Sequence, residues 1–431
     1  MPLNNQHLVN KVKLILKCFT FYIAIIAYNN TLFADDFHYN NMLIGDRASG
    51  MAGSYVAISD DPSGLFYNPA GIIYAVSSNI SANMNAYNIS QTHYKNVLGG
   101  QDWVRSSSAL VPNFFGITQP LGPGTLGFSY AVTDSILEDQ DQTFNDIPTA
   151  GTKFTINFNN QDTTNNIGPS YAISINEHWS IGLTIYGYYR SQEQIFSQNF
   201  DFPETEADPQ DIYHWESSYV SLSEYGIKPV FGIIYTPMEK LSLGLTISKV
   251  SLFKSELEVQ LSCATTYITE QTDGALCQPS EFSRFAYKRN EKREFPWMLN
   301  TGAAYFVNNR LLFSTSLWIY EAVNKTTTPL INAAAAMEYY LSNRFALRLG
   351  AYTNMANTPK LKNNVVNEYN EHIDIFGGTI SLSHFTRSSA ISIGFAGNLG
   401  YGKAQVISDN ANIQDVRYYG ISMFISASNS F

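Results

Sequence analysis

Residues 241–248 read Leu-Ser-Leu-Gly-Leu-Thr-Ile-Ser. Leu241, Leu243, Leu245 and Ile247 alternate with Ser242, Gly244, Thr246 and Ser248, a strict period of two. Successive side chains of a strand point to opposite faces, so this segment is apolar on one side and small and polar on the other. The pattern recurs along the chain. Ile80, Ala82, Met84 and Ala86 alternate with Ser81, Asn83 and Asn85. Leu126, Phe128, Tyr130 and Val132 do the same, as do Trp179, Ile181, Leu183 and Ile185, then Phe345, Leu347 and Leu349, and Ile391, Ile393 and Phe395.

Two architectures give this pattern: a soluble sandwich with an apolar interior, or a membrane barrel with an apolar exterior. The connectors favour the barrel. Short turns fall at Leu121–Gly124, Asn176–His178, Thr236–Lys240, Val307–Asn309, Leu341–Asn343 and Thr386–Ser388. The connections between them, such as Asp201–Ser217 and Ser262–Glu281, are longer and more polar. Alternating short and long connections mark bacterial outer-membrane barrels, and six such turns imply about fourteen strands. Several strands exceed the roughly 9–11 residues that cross a bilayer, so the wall is expected to project outward. Trp179, Tyr235, Tyr305, Phe306, Tyr339 and Phe385 cluster near the turns, where aromatic girdles lie. The last strand, with Ile421, Met423, Ile425 and Ala427 on one face, ends the sequence at Phe431. A final amphipathic strand ending in an aromatic residue resembles the signal read by the outer-membrane assembly machinery, an expected partner.

The bulk numbers agree. The chain has 431 residues and a net charge of −10, with 14% charged and 14% aromatic residues; an average soluble domain is roughly 25% charged. An acidic balance argues against nucleic acid as a partner. Lys11, Lys13 and Lys17 precede an apolar run from Cys18 to Tyr28, too short for a spanning helix. With Ala34 before Asp35-Asp36, this reads as a signal peptide over 1–34, although Leu32 stands where a small residue is preferred. Outside it, Cys263 and Cys277 are expected to form one disulfide stapling an exposed loop.

A barrel of this width is not filled by its own side chains and needs a plug or a water channel. The plug candidate is Gly45–Gly71, GDRASGMAGSYVAISDDPSGLFYNPAG. Its Gly and Ala residues permit close backbone approach. Asp60-Asp61-Pro62-Ser63 reads as a helix start, with Pro62 in the first turn. Asn68-Pro69 ends that helix, because the residue before proline is driven to extended geometry. The organisation expected is thus a signal over 1–34, a hatch over 35–76 and an all-β transmembrane barrel of about fourteen antiparallel strands over 77–431.

Ala48-Ser49-Gly50-Met51, Ser59-Asp60-Asp61 and Asn68-Pro69-Ala70, in this order before a barrel, resemble the FadL family of outer-membrane hydrophobic-compound transporters. Looser likeness continues at Lys228-Pro229-Val230-Phe231-Gly232-Ile233 and Phe431. The resemblance implies residence in the outer membrane of a Gram-negative bacterium and a hatch inside a fourteen-stranded barrel. It also implies passive uptake of a hydrophobic small molecule, long-chain fatty acids first among them. The ligand path is expected at Phe66, Tyr67, Asn68, Pro69, Ala70 and Gly71, with the last four as a movable element. Gly71 departs from the family's phrase.

Arg284, Lys288 and Lys292 share one face of their strand and could draw in a carboxylate head group. The plainer reading, a solvated rim that meets Glu291, Glu294 and lipopolysaccharide phosphates, is favoured for them. The chain is expected to act as a monomer among lipopolysaccharide and outer-membrane lipids, with no cofactor and no metal site. No catalytic residues are expected: His214 beside Glu216, His372 near Asp374 and His384 lack metal-ligand spacing, and there is no G-x-S-x-G elbow. The rival function is a non-transporting barrel serving surface assembly or adhesion through its long loops.

Overall fold

A computed structural model describes residues 38–39, 41–75, 78–147, 151–202, 212–265, 282–290, 292–323, 327–365, 367, 371–406 and 413–431. The expected signal peptide, Cys277 and the centres of the two long loops lie outside these residues. Cys263 is disulfide-bonded.

Sixteen strand segments form one antiparallel sheet. They are β1 (Asn79–Leu98), β2 (Gln101–Leu121), β3 (Gly124–Ile147), β4 (Gly151–Ser174), β5 (Trp179–Phe202), β6 (Ile212–Met238), β7 (Leu241–Ser248), β8 (Ser251–Thr265), β9 (Ser283–Asn290), β10 (Met298–Asn308), β11 (Leu311–Tyr320), β12 (Leu330–Ser342), β13 (Phe345–Asn354), β14 (Glu371–Phe385), β15 (Ser389–Ala404) and β16 (Gln414–Ser430). β7 and β8 are two halves of one stave, and β9 and β10 of another, so the barrel has fourteen staves. It closes through β1 and β16, from Asn79↔Ser430 to Tyr94↔Val416, and Phe431 adds a bond to the Ser78 carbonyl.

The faces settle which way the barrel is turned. Leu243, Leu245 and Ile247 are exposed, whereas Ser242, Thr246 and Ser248 are buried. Leu126 and Phe128 point out, whereas Thr125 and Ser129 point in. An apolar exterior around a polar interior is the inside-out order of a membrane barrel. Near the short turns the expected girdle forms in part: Trp179 and Tyr235 stack at 4.2 Å, and Tyr305 is exposed. Phe306 instead packs inward on the hatch, because one residue along a strand reverses the face.

β3 to β6 run 24 to 27 residues, far longer than a crossing, and build an outer collar. One apolar core fills the collar along β1–β5 and β14–β16, with Tyr94, Phe144, Phe154 and Ile156 fully buried against Ile373, Ile375 and Val416. A smaller core of Val220, Leu222, Leu257 and Val259 lies along β6 and β8.

The hatch occupies the lumen. It carries α1 (Asp46–Gly50), α2 (Gly64–Tyr67) and a 3-10 turn (Pro69–Tyr74). α2 begins at Gly64, later than the sequence suggests. Asp61 Oδ1 still accepts the Ser63 amide at 2.8 Å, so Asp61-Pro62-Ser63 is a turn leading into the helix. Ile44, Ala48, Met51, Tyr55, Ile58 and Tyr67 form a core that touches Phe114, Ala131, Ala304, Leu312 and Ala336 on opposite parts of the wall. The small residues of the strand pattern allow this contact. A Cβ on Gly182 would meet Ala70 N and Pro69 C at 2.5 Å. One on Gly244 would strike the Val56 carbonyl.

Candidate ligand cavity and wall openings

Asn68 follows α2 in extended geometry (φ −157°), as the proline after it requires. Its side-chain carbonyl accepts the Ala70 amide at 3.1 Å and caps the 3-10 turn. Its amide donates to Val56 O at 2.8 Å and to Ile233 O of β6 at 3.0 Å. Ser180 of β5 donates to Ala70 O at 3.0 Å. Asn68-Pro69-Ala70-Gly71 is therefore bonded to β5 and β6 and does not line the cavity described next, whereas Phe66 and Tyr67 do.

Above the hatch the lumen keeps a cavity of about 200 Å³. Eight aromatic residues contribute to its lining: Tyr39, Phe66, Tyr67, Tyr188, Phe295, Trp318, Tyr320 and Tyr352. Four cations, Arg190, Lys228, Lys249 and Arg293, line it, against one carboxylate, Asp134. A chain of net charge −10 thus surrounds this space with net positive charge. The two arginines are committed to the wall. Arg190 forks Asp162 at 2.5 and 3.0 Å, and Arg293 forks Glu224 at 2.8 and 2.9 Å. The two lysines are not. Lys228 stands over the Phe66 ring at 5.0 Å and Lys249 over Trp297 at 5.5 Å, and neither has a carboxylate within ion-pair distance among the described residues.

Arg284, Lys288 and Lys292, the cations singled out from sequence, lie elsewhere. Lys288 pairs with Glu258 at 2.6 Å and Arg284 donates to Gln260 at 2.7 Å, both in exposed positions on β9. Lys292 is exposed and does not line the cavity. Among the described residues β9 pairs only with β8, so it is an edge strand, where charged side chains oppose unwanted pairing. The missed lysine, Lys228, opens the Lys228-Pro229 phrase, where Pro229 lacks an amide for the ladder.

The wall opens beside the cavity in two places. β2 and β3 pair at Phe114↔Ala131 and again at Ser107↔Glu138, with no pairing between. The hatch lead-in spans this gap: Asn113 donates to Leu43 O at 2.7 Å, and Asn41 donates to Asp134 at 2.9 Å. The second opening separates β7 and β8 from β9 and β10. Among the described residues, pairing stops at Ser248↔Met298 and resumes at Glu256↔Asn290.

Below the cavity, buried charges tie hatch to wall. Arg47 Nε donates to both Glu338 oxygens at 3.0 Å, and its Nη1 donates to Asp60 at 2.7 Å. Arg348 adds a 2.7 Å bond to Glu338. Burial acts to lower the Arg47 pKa, but Asp60 and Glu338 outweigh it and hold the guanidinium well above its ordinary value. Burial, with Asp60 and Asp46 nearby, pushes Asp61 up to about 7.

A closed fourteen-stave barrel with an apolar exterior, an internal hatch and a cavity reaching the wall defines the class: an outer-membrane barrel of the plugged kind. Among solved structures, the fold matches that of a Pseudomonas aeruginosa FadL homologue at 13% identity, covering 91% of this chain and 100% of that one, with a TM-score of 0.61. It also matches the P. putida toluene transporter TodX at 15% identity and a TM-score of 0.61, over 91% of this chain and 99% of that one. The CymD monoaromatic hydrocarbon channel matches at 13% identity and a TM-score of 0.56, over 91% and 99%. No family model matches the sequence, and no curated protein does.

Proposed function

We propose that this protein is an outer-membrane channel for passive uptake of hydrophobic molecules, and that its substrates are long-chain fatty acids or similar single-chain acids. The fold is shared with a FadL homologue, the toluene transporter TodX and the CymD monoaromatic hydrocarbon channel. The apolar and aromatic part of the lining captures an acyl chain without covalent chemistry, because each buried methylene contributes about 0.8 kcal/mol. The observation that favours acid over hydrocarbon is Lys228, a cation facing this cavity over Phe66 with no carboxylate at ion-pair distance among the described residues.

Passage then requires the cavity to open toward the membrane. The β2–β3 gap supplies a route, because Thr133 and Asp134 on its rim also line the cavity. Residues Asn41 to Leu43 act as its stopper, and their withdrawal frees the route. Asn68-Pro69-Ala70-Gly71, bonded to β5 and β6, serves as the pivot at the other end of the hatch.

Lys228→Gln tests the substrate. A hydrogen bond to a charged group contributes about 1.5–3 kcal/mol. The variant should therefore bind a C16 fatty acid roughly 10- to 100-fold more weakly and leave toluene uptake unchanged. Unchanged acid affinity beside efficient toluene uptake would favour the hydrocarbon reading instead.

A further inference from the structure

The seam at β7–β10 has features that neither the hatch nor the first gap requires. Equal lengths of chain separate the last paired residues on both sides, so the ladder is parted rather than bulged. The β9–β10 stave turns inward there. Arg293 reaches past β8 to Glu224 of β6, and the Phe295 ring meets Tyr188 edge-on at 5.6 Å. Val250, Phe295 and Pro296, from both lips of the seam, line the cavity. At the outer lip Lys249 lies over Trp297, which is 48% exposed.

The height of the seam gives it meaning. β10 is 11 residues long and starts one residue after Trp297, so a full crossing separates Trp297 from the short turn at its other end. Trp297 thus stands at the outer membrane–water boundary, where tryptophan is favoured. Above it β9 has a free edge among the described residues, and β11 has ended at Tyr320. The axial way in along β1–β5 and β14–β16 is filled by the collar core.

We propose that this seam is the entrance: a single-chain amphiphile with an anionic head passes sideways from the outer interface into the cavity, with Lys249 as the charge that meets its head group. The proposal rests on the channel reading above and adds to it an inlet separate from the β2–β3 gap.

The test uses Trp297→Cys, at the outer lip and outside the cavity lining, in the full-length protein, purified and placed in nanodiscs, with thiol reagent added after folding. Cys263 is already disulfide-bonded, and wild-type protein treated with the same reagents is the control. A methyl disulfide label is the reference and a bulky maleimide is the block. Stopped-flow binding of a fluorescent C16 fatty acid should show association and release slowed together at least tenfold by the bulky label, with Kd held within twofold. Lys249→Glu should slow association with the acid and leave a fatty alcohol of equal length unaffected. Unchanged rates with the bulky label overturn the proposal. So does a weakened Kd at constant association rate, which would make the Trp297 lip pocket rather than port, and so does an equal response of acid and alcohol to Lys249→Glu. If the unlabelled protein binds no apolar compound, the channel reading itself fails, an outcome distinct from these.

Discussion

Arg47→Met isolates what holds the hatch down. The guanidinium makes a fork to Glu338 on β12 and a second contact to Asp60 in the hatch, so it joins the two parts directly. Glu338 is fully buried and Asp60 is 37% exposed, so the cost falls mainly on Glu338. Removing one partner of a buried ion pair costs about 3–5 kcal/mol. Arg348 stays bonded to Glu338, which places the expected loss near the lower end, about 3 kcal/mol or a hundredfold in the docked-to-undocked ratio. Hydrogen exchange in nanodiscs reads this out. The amides of Gly53 and Ile58, bonded within the hatch to Ala48 and Tyr55, should exchange about a hundredfold faster. The ladder amides of Ala334 to Ala336 should keep their rates. Arg47→Lys should fall between, since a lysine keeps the charge and loses the fork. Unchanged hatch exchange would mean that the apolar core alone docks the hatch, and the reasoning would be refuted. Equal acceleration in β12 would mean that Arg47 supports the barrel wall instead.

Other consequences are equally direct. Asp61 is raised from 3.8 to about 7, so its docked form holds a proton that the undocked form releases. Hatch docking should therefore be strongest below the ordinary carboxylate range and weaken as pH rises to about 7; Asp61→Asn should flatten that dependence in hatch exchange measured from pH 5 to 8. Gly182→Val should force the 3-10 turn off β5 at an overpacking cost of about 1–3 kcal/mol, seen as a lower thermal midpoint; an unchanged midpoint would mean the hatch shifts freely. A Leu43→Cys/Asn113→Cys disulfide should close the β2–β3 gap and stop fatty-acid uptake while leaving binding intact. Reduction should restore uptake, with reduced wild-type protein as the control for the native disulfide. Uptake that continues through the locked gap would remove it as the exit.

The barrel was legible because its code is local. In 241–248, and in every segment like it, the side-chain period is fixed by strand geometry and does not depend on neighbours. Spacing of short and long connectors then counted the staves. A barrel of that width is not filled by its own side chains, and the stretch before it supplied the plug candidate. The phrase Asn68-Pro69-Ala70-Gly71 was also visible, since proline restricts its neighbour whatever the fold.

The placement of charge was not legible. Arg284 and Lys288 stand out in sequence as a cluster, yet β9 is an edge strand and they pair across it with Gln260 and Glu258. Lys228 and Lys249 are single lysines 21 residues apart along the chain, and only the register of β6 against β7 and β8 brings both to one cavity. The parted ladders follow the same logic. At each parting, side chains far apart in the chain meet: Arg293 bonds Glu224, and the lead-in bonds Asn113 and Asp134. Local periodicity determined the wall and its orientation; contacts between residues far apart in the chain decided where that wall opens and what charge meets a ligand there.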